Sequence, residues 1–150
     1  MTKVGKMGPI EREFHDRLYR EMPQHIKSKW DKKSGIYALV RTDKDYETDP
    51  SAVLYVGQAS NLVERWISHK TNALCEDSRA YWWHVYQRIR ETRAHGIPMA
   101  FVVLEECGCA LLDVKEEEYL RKYRPPFNYT LPAHDKDKGW YQRPQLHITK

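Results

Sequence analysis

The sequence predicts an α+β domain. Two strand-like apolar runs stand on either side of a charged loop, a third follows a Gly–Pro break, and amphipathic helical repeats lie before, between and after them. At 150 residues the chain makes one core, enough to bury about 70% of the surface its unfolded form would expose.

Residues 9–22 place Ile10, Phe14, Leu18 and Met22 four apart, with Pro9 in the first turn and Pro23 stopping the run. This predicts an amphipathic N-terminal helix, packed on its own chain or on a second copy. Residues 31–35 read as a turn into a first strand at 36–40, where alternation separates Tyr37 and Leu39 from Ile36, Ala38 and Val40. The charged segment 41–52, with Pro50, reads as a long hairpin loop. In the second strand Val53 and Tyr55 separate from Leu54 and Val56, so a hairpin burying the aliphatic sets together leaves Tyr37 and Tyr55 on one shared surface.

Gly57 ends that strand, and Ser60 or Asn61 can cap a helix running to about His69, with Glu64 in place to complete a capping box on Asn61. Residues 78–95 predict a longer helix with a core stripe of Trp82, Val85, Tyr86 and Ile89. A break at Gly96–Pro98 precedes the third strand, and a final helix follows, closed by Pro125 and Pro126. The Lys-, Pro- and His-rich tail from 129 on predicts no fixed element. The division is a helical extension at 1–33, a domain at 34–130 and a tail at 131–150.

With 41% hydrophobic and 31% charged residues, no apolar run of membrane-spanning length and no signal-peptide pattern after Met1, the expectation is a soluble, cytoplasmic protein. Cys75, Cys107 and Cys109 are odd in number and lack CxxC spacing, which argues against a disulfide framework or a four-thiolate zinc site. A net charge of +4 leans toward a polyanionic partner.

Among possible functional groups, Glu116 completes the apolar spacing of Leu112, Tyr119, Leu120 and Tyr123, which turns it inward where an ionised carboxylate needs a cation or a donor. That partner is either an arginine or a metal. Arg65 and His69, one helical turn apart, project together, as residues of an exposed face also do. A strand tyrosine is ordinarily a packing residue, and Asn128 after "RPPF" an ordinary turn residue.

Taken together, "GIY" at 35–37, "YVG" at 55–57, Arg65 with His69, Glu116 and "PPFN" ending at Asn128 resemble the GIY-YIG nuclease family over about residues 34–130. Val56 replaces the usual isoleucine and Phe127 a frequent tyrosine, and neither change removes a polar group. The loop between the triplets is longer than in compact members.

The resemblance implies a three-stranded antiparallel sheet flanked by helices and DNA phosphodiester hydrolysis with one Mg2+, for which Mn2+ can substitute. It implies Glu116 as the metal ligand, Arg65 on the scissile phosphate, and His69 on a phosphate oxygen or a tyrosine. Tyr37 or Tyr55 is then the general base and the other positions the water, while Asn128 braces the site. Lys70, Arg79, His84, Arg88, Arg90 and Arg93 are candidate DNA contacts or a solvated face, and Tyr81, Trp83 and Tyr86 stack on bases or pack in the core. A homodimer through the N-terminal helix would allow a double-strand break. Restriction, phage or mobile-element, and repair roles are open.

The rival readings are a non-catalytic DNA- or protein-binding module that keeps the fold, and a structural metal protein using Cys107, Cys109 and a histidine.

Overall fold

The computed structural model describes residues 7–129, so the tail from 131 on lies outside the described residues. In chain order the elements are α1 (Pro9–Glu21), α2 (Gln24–Trp30), β1 (Gly35–Arg41), β2 (Val53–Ala59), α3 (Leu62–Leu74), α4 (His84–Ala94), β3 (Met99–Glu106), α5 (Leu112–Tyr123) and α6 (Pro126–Tyr129). The architecture is α+β, with a three-stranded antiparallel sheet in the order β2–β1–β3. Among the described residues no helix is long and apolar enough to cross a membrane.

β1 is the central strand, paired on both edges and covered on both faces, and Gly35 through Val40 are buried. On one face Ile36, Ala38, Val40, Val53 and Val56 meet Leu112 and the half-buried Tyr119, Leu120 and Tyr123 of α5. On the other, Leu39, Leu54, Val85, Tyr86, Ile89 and Phe127 form a second cluster, and Tyr37 packs with Leu62 of α3. Burying one such aliphatic side chain stabilises the fold by about 1.5–3 kcal/mol.

The predicted alternation in β2 needs one correction. Leu39 pairs with Tyr55 but Val40 pairs with Val53, so Leu54 is an extra residue opposite the β1 step. This bulge puts Val53 on the α5 face and leaves Leu54 and Tyr55 toward α3 and α4. The two tyrosines still share a face, because the bulge falls before Tyr55.

The N-terminal stripe is rotated from its predicted position. Ile10 is 62% exposed, whereas Glu11 and His15 are buried and Met22 joins Val63 and Ile67 of α3. His15 Nε2 lies 3.1 Å from Glu64 Oε1 on α3, a polar tie that turns the helix toward its own chain. A second helix, α2, which the pattern did not indicate, adds Ile26 and Trp30 to that cluster. Leu18 and Met22 therefore pack inside the chain.

Asn61 is the cap of α3. Its Oδ1 accepts from the Val63 and Glu64 amides at 3.2 and 3.3 Å, and from Lys32 N–H at 3.1 Å, tying the turn before β1 to the start of the helix. The helix predicted from 78 begins only at His84. Ser78 Oγ accepts the Ala80 amide, and Arg90 takes the Tyr81 and Ala73 carbonyls at 2.7 and 3.0 Å, so residues 78–83 are held as turns. Trp82, expected in the core stripe, is 64% exposed.

After α5, Arg124 takes a left-handed conformation with φ 48° and Pro125 follows, so the helix closes at the prolines as predicted, and the short α6 that starts at Pro126 carries Asn128.

Candidate active site

Alternation along β1 turns Tyr37 away from α5, and the antiparallel register sets Gly57 of β2 directly beside it. Its ring stacks on Phe101 of β3 at 4.6 Å and lies 6.3 Å from the ring of Tyr55. His69, held on the inner side of α3, brings Nε2 within 2.6 Å of Tyr37 Oη and Nδ1 within 2.8 Å of Tyr86 Oη on α4. Tyr37 is fully buried and His69 only 5% exposed, while Tyr55 is half-buried.

These surroundings set the ionisation of each group. Burial pushes the Tyr37 phenol well above its ordinary pKa, Tyr55 adds to the effect, and the nearby Arg65 opposes it. Burial likewise raises Tyr55 to about 12, with Tyr86 and Glu116 adding and Arg65 opposing. His69 is held down to about 3 by burial and by Arg65, so it is neutral at pH 7. Burial alone would lower the pKa of Arg65, but the phenols of Tyr37, Tyr86 and Tyr55 carry the net shift upward. Arg65 is exposed as a residue, yet its charge acts on the Tyr37, Tyr86 and Tyr55 phenols, so one guanidinium connects the buried phenols to the surface.

Glu116 is half-buried on α5, as its spacing predicts. The Gln58 amide donates to Glu116 Oε1 and to Asp113 Oδ1, each at 2.8 Å, so one side chain of β2 gathers two carboxylates from consecutive turns of the helix. Burial raises the Glu116 pKa, the Gln58 hydrogen bond opposes it, Asp113 adds to it, and Arg65 opposes it. Glu116 thus lies within the field of both Arg65 and Tyr55. Beside it an open groove of about 550 Å3 is lined by Gln58, Arg65 and Ser68. Among the described residues no three His, Cys, Asp or Glu side chains gather around one point, and the free Cys107 and Cys109 have no such histidine.

Asn128 is hydrogen-bonded to the β2 backbone and not to either phenol. Its Oδ1 accepts from Val56 N–H at 2.8 Å and its Nδ2 donates to Val56 O at 2.9 Å, clamping the edge strand between Tyr55 and Gly57.

The candidate DNA contacts divide. Lys70 and Arg93 are exposed and line a shared groove between α3, α4 and β3, and Arg79 is exposed before α4. Arg88 is half-buried with its guanidinium 5.3 Å above the Phe127 ring, and His84 is half-buried near it, its pKa lowered by burial and by Arg88. Arg90 is a brace: its guanidinium stacks 3.5 Å above Tyr81 and bonds two carbonyls. Trp83 is 55% exposed and its ring lies 6.4 Å from that of Tyr86, so two adjacent indoles stand open next to the buried cluster.

Sequence reasoning missed Gln58 and Asp113, and it left Tyr86 undecided between stacking and packing. Gln58 alone had a signal, as a polar residue directly after the glycine of the second triplet. In comparisons with known proteins, the chain matches no family model, no curated protein and no solved structure.

Proposed function

We propose that the chain is a DNA endonuclease of the GIY-YIG type, hydrolysing phosphodiester bonds with Mg2+. The supporting observation is the convergence of Tyr37 and Tyr55 of the hairpin with His69 and Arg65 of α3 in one buried cluster that opens, through Arg65, on the Gln58 groove.

The donor set suits a hard cation. Glu116 and Asp113 offer carboxylate oxygens drawn together on one amide, a sparse oxygen site of the kind that leaves most positions to water and a phosphate oxygen. Mg2+ or Mn2+ held by Glu116 would supply Lewis-acid polarisation and a more acidic bound water.

Arg65 grips the scissile phosphate and offsets the charge that gathers on it, a contribution on the order of 3–4 kcal/mol for a preorganised donor. As the water oxygen bonds to phosphorus, its proton passes to a phenolate of the tyrosine pair. The P–O bond to the leaving sugar oxygen breaks, and that oxygen takes a proton from solvent. Lys70, Arg79 and Arg93 supply phosphate contacts, and Trp82 and Trp83 offer faces for bases.

A binding module that keeps the fold is the second reading. The observation favouring it is the burial that holds both phenols protonated at neutral pH.

The experiment is incubation of supercoiled plasmid with the protein, with and without Mg2+, beside Glu116→Ala. Nicked or linear product that needs both Mg2+ and Glu116 supports the nuclease, and intact plasmid under every condition supports the binding module. Equal cleavage by Glu116→Ala would leave hydrolysis standing and remove the ligand.

A further inference from the structure

The groove between α3, α4 and β3 has apolar walls and a cationic rim. Its volume of about 470 Å3 falls within the roughly 300–1,000 Å3 of small-ligand sites. Trp66, Ile89, Met99 and Phe101 line it, together with Leu74, an aliphatic side chain left 39% exposed. Lys70 and Arg93, both exposed, come one from each of the two helices that wall it. Among the described residues neither has an acidic partner. Lys70 Nζ lies 5.6 Å from the Trp66 ring centroid, and Glu91, the acid on the same helix as Arg93, pairs with Arg88 at 4.0 Å.

The groove adjoins the buried cluster. His69, which meets Tyr37 at 2.6 Å, is one of its lining residues, and Phe101 stacks on Tyr37 at 4.6 Å and on Trp66 at 5.6 Å. An occupant must therefore cover apolar and aromatic surface while presenting negative charge to two cations on different helices. A nucleotide within a strand does both, because its base has flat apolar faces and a phosphate precedes and follows it. A base inside a duplex has its faces covered by its stacked neighbours, so only an unpaired one enters.

We propose that this groove seats one unpaired base of the DNA strand, with Lys70 and Arg93 on the flanking phosphates, and that the preferred substrate carries an unpaired nucleotide near the point of cleavage. The inference rests on the nucleic-acid part of the proposed function and not on cutting. Position follows from α3, which lines both grooves: Asn61, Glu64, Arg65 and Ser68 face the Gln58 groove, and Trp66, His69, Lys70 and Ala73 face this one. A helix is about 10–12 Å across. At about 3.4 Å per stacked nucleotide, the unpaired base lies about three nucleotides from the phosphate on Arg65.

The test is binding, without Mg2+, of a short single-stranded oligothymidylate carrying one 5-iodouracil, with the ultraviolet crosslink mapped by mass spectrometry. Crosslinks to Trp66, Met99 or Phe101 are expected. Leu74→Glu, which puts a carboxylate at an exposed position of the groove, should weaken binding about 5- to 100-fold while the protein melts as before. Lys70→Gln and Arg93→Gln should each reduce the slope of log affinity against log salt by about 0.7. A duplex with one unpaired thymidine should bind about 5- to 100-fold more tightly than the same duplex fully paired.

Crosslinks confined to other residues, wild-type affinity in a folded Leu74→Glu, or equal affinity for the two duplexes overturns the seat. Crosslinks in the groove with plasmid left intact would remove the nuclease reading and leave the seat. Plasmid cleavage without a crosslink in the groove would remove the seat and leave the nuclease.

Discussion

Tyr37 lies directly across Gly57. A Cβ built on that glycine would stand 2.6 Å from Tyr37 Cζ and closer still to the hydroxyl oxygen. The paired triplets of the sequence thus have a steric meaning: the glycine of β2 is the floor on which the phenol of β1 rests, and any side chain there would displace the oxygen that meets His69.

Gly57→Ala should therefore lower stability by about 1–3 kcal/mol, the usual cost of overpacking, because the ring is wedged against Phe101 and has nowhere to go. Urea unfolding measures the loss, and a variant as stable as the wild type would show that Tyr37 moves freely. Plasmid cleavage should fall with it.

His69 makes stability depend on pH in the mildly acidic range. Its folded pKa of about 3 lies below the unfolded value near 6.5, so the unfolded chain binds the extra proton first. The contribution is full above about pH 6.5 and is lost as pH falls toward 3, at up to about 1.4 kcal/mol per pH unit. Comparing urea midpoints at pH 7 and pH 5, His69→Gln should lose about 1–2 kcal/mol less than the wild type. Equal losses would mean that His69 titrates normally.

Cleavage should rise with pH through the neutral range and continue upward to at least pH 9, because burial raises both phenols and the reactive phenolate grows with pH. A single-turnover rate profile checks this. A flat profile with chemistry rate-limiting would rule out a tyrosine base.

Arg65→Ala removes the cation that faces all three phenols and the groove. Cleavage should fall by about 10^2- to 10^3-fold. Melting should change little, since the side chain is exposed. A loss of activity matched by a collapse of the melting curve would make Arg65 a folding residue.

Trp82→Ala and Trp83→Ala should each weaken DNA binding by about 1–3 kcal/mol if the exposed indoles stack on bases. Fluorescence titration with a duplex or nicked oligonucleotide reads the effect, and unchanged affinity in the double variant would assign the pair to another partner.

The legible part of the fold was the part governed by local pattern. Apolar runs of strand length, the Asn61 cap and the Gly–Pro breaks mark β1, β2, the start of α3 and β3, because period and capping act over a few residues. What local pattern missed were choices made at a distance. The bulge at Leu54 depends on pairing with β1, the rotation of α1 depends on His15 meeting Glu64 far along the chain, and the late start of α4 depends on Arg90 capturing the Tyr81 and Ala73 carbonyls.

The same division runs through the candidate site. In the sequence only Glu116 stood out by its spacing; Tyr37, Tyr55, Arg65, His69 and Asn128 were singled out by the resemblance of their combined pattern to the GIY-YIG family. The tertiary structure decided how they are held: Asn128 on the Val56 backbone, Glu116 beside Asp113 on Gln58, and His69 between two phenols. The reason is physical. A hydrogen bond is a relation between two atoms, and a chain folded on hydrophobic period brings such atoms together across 70 residues without any trace in the neighbourhood of either one.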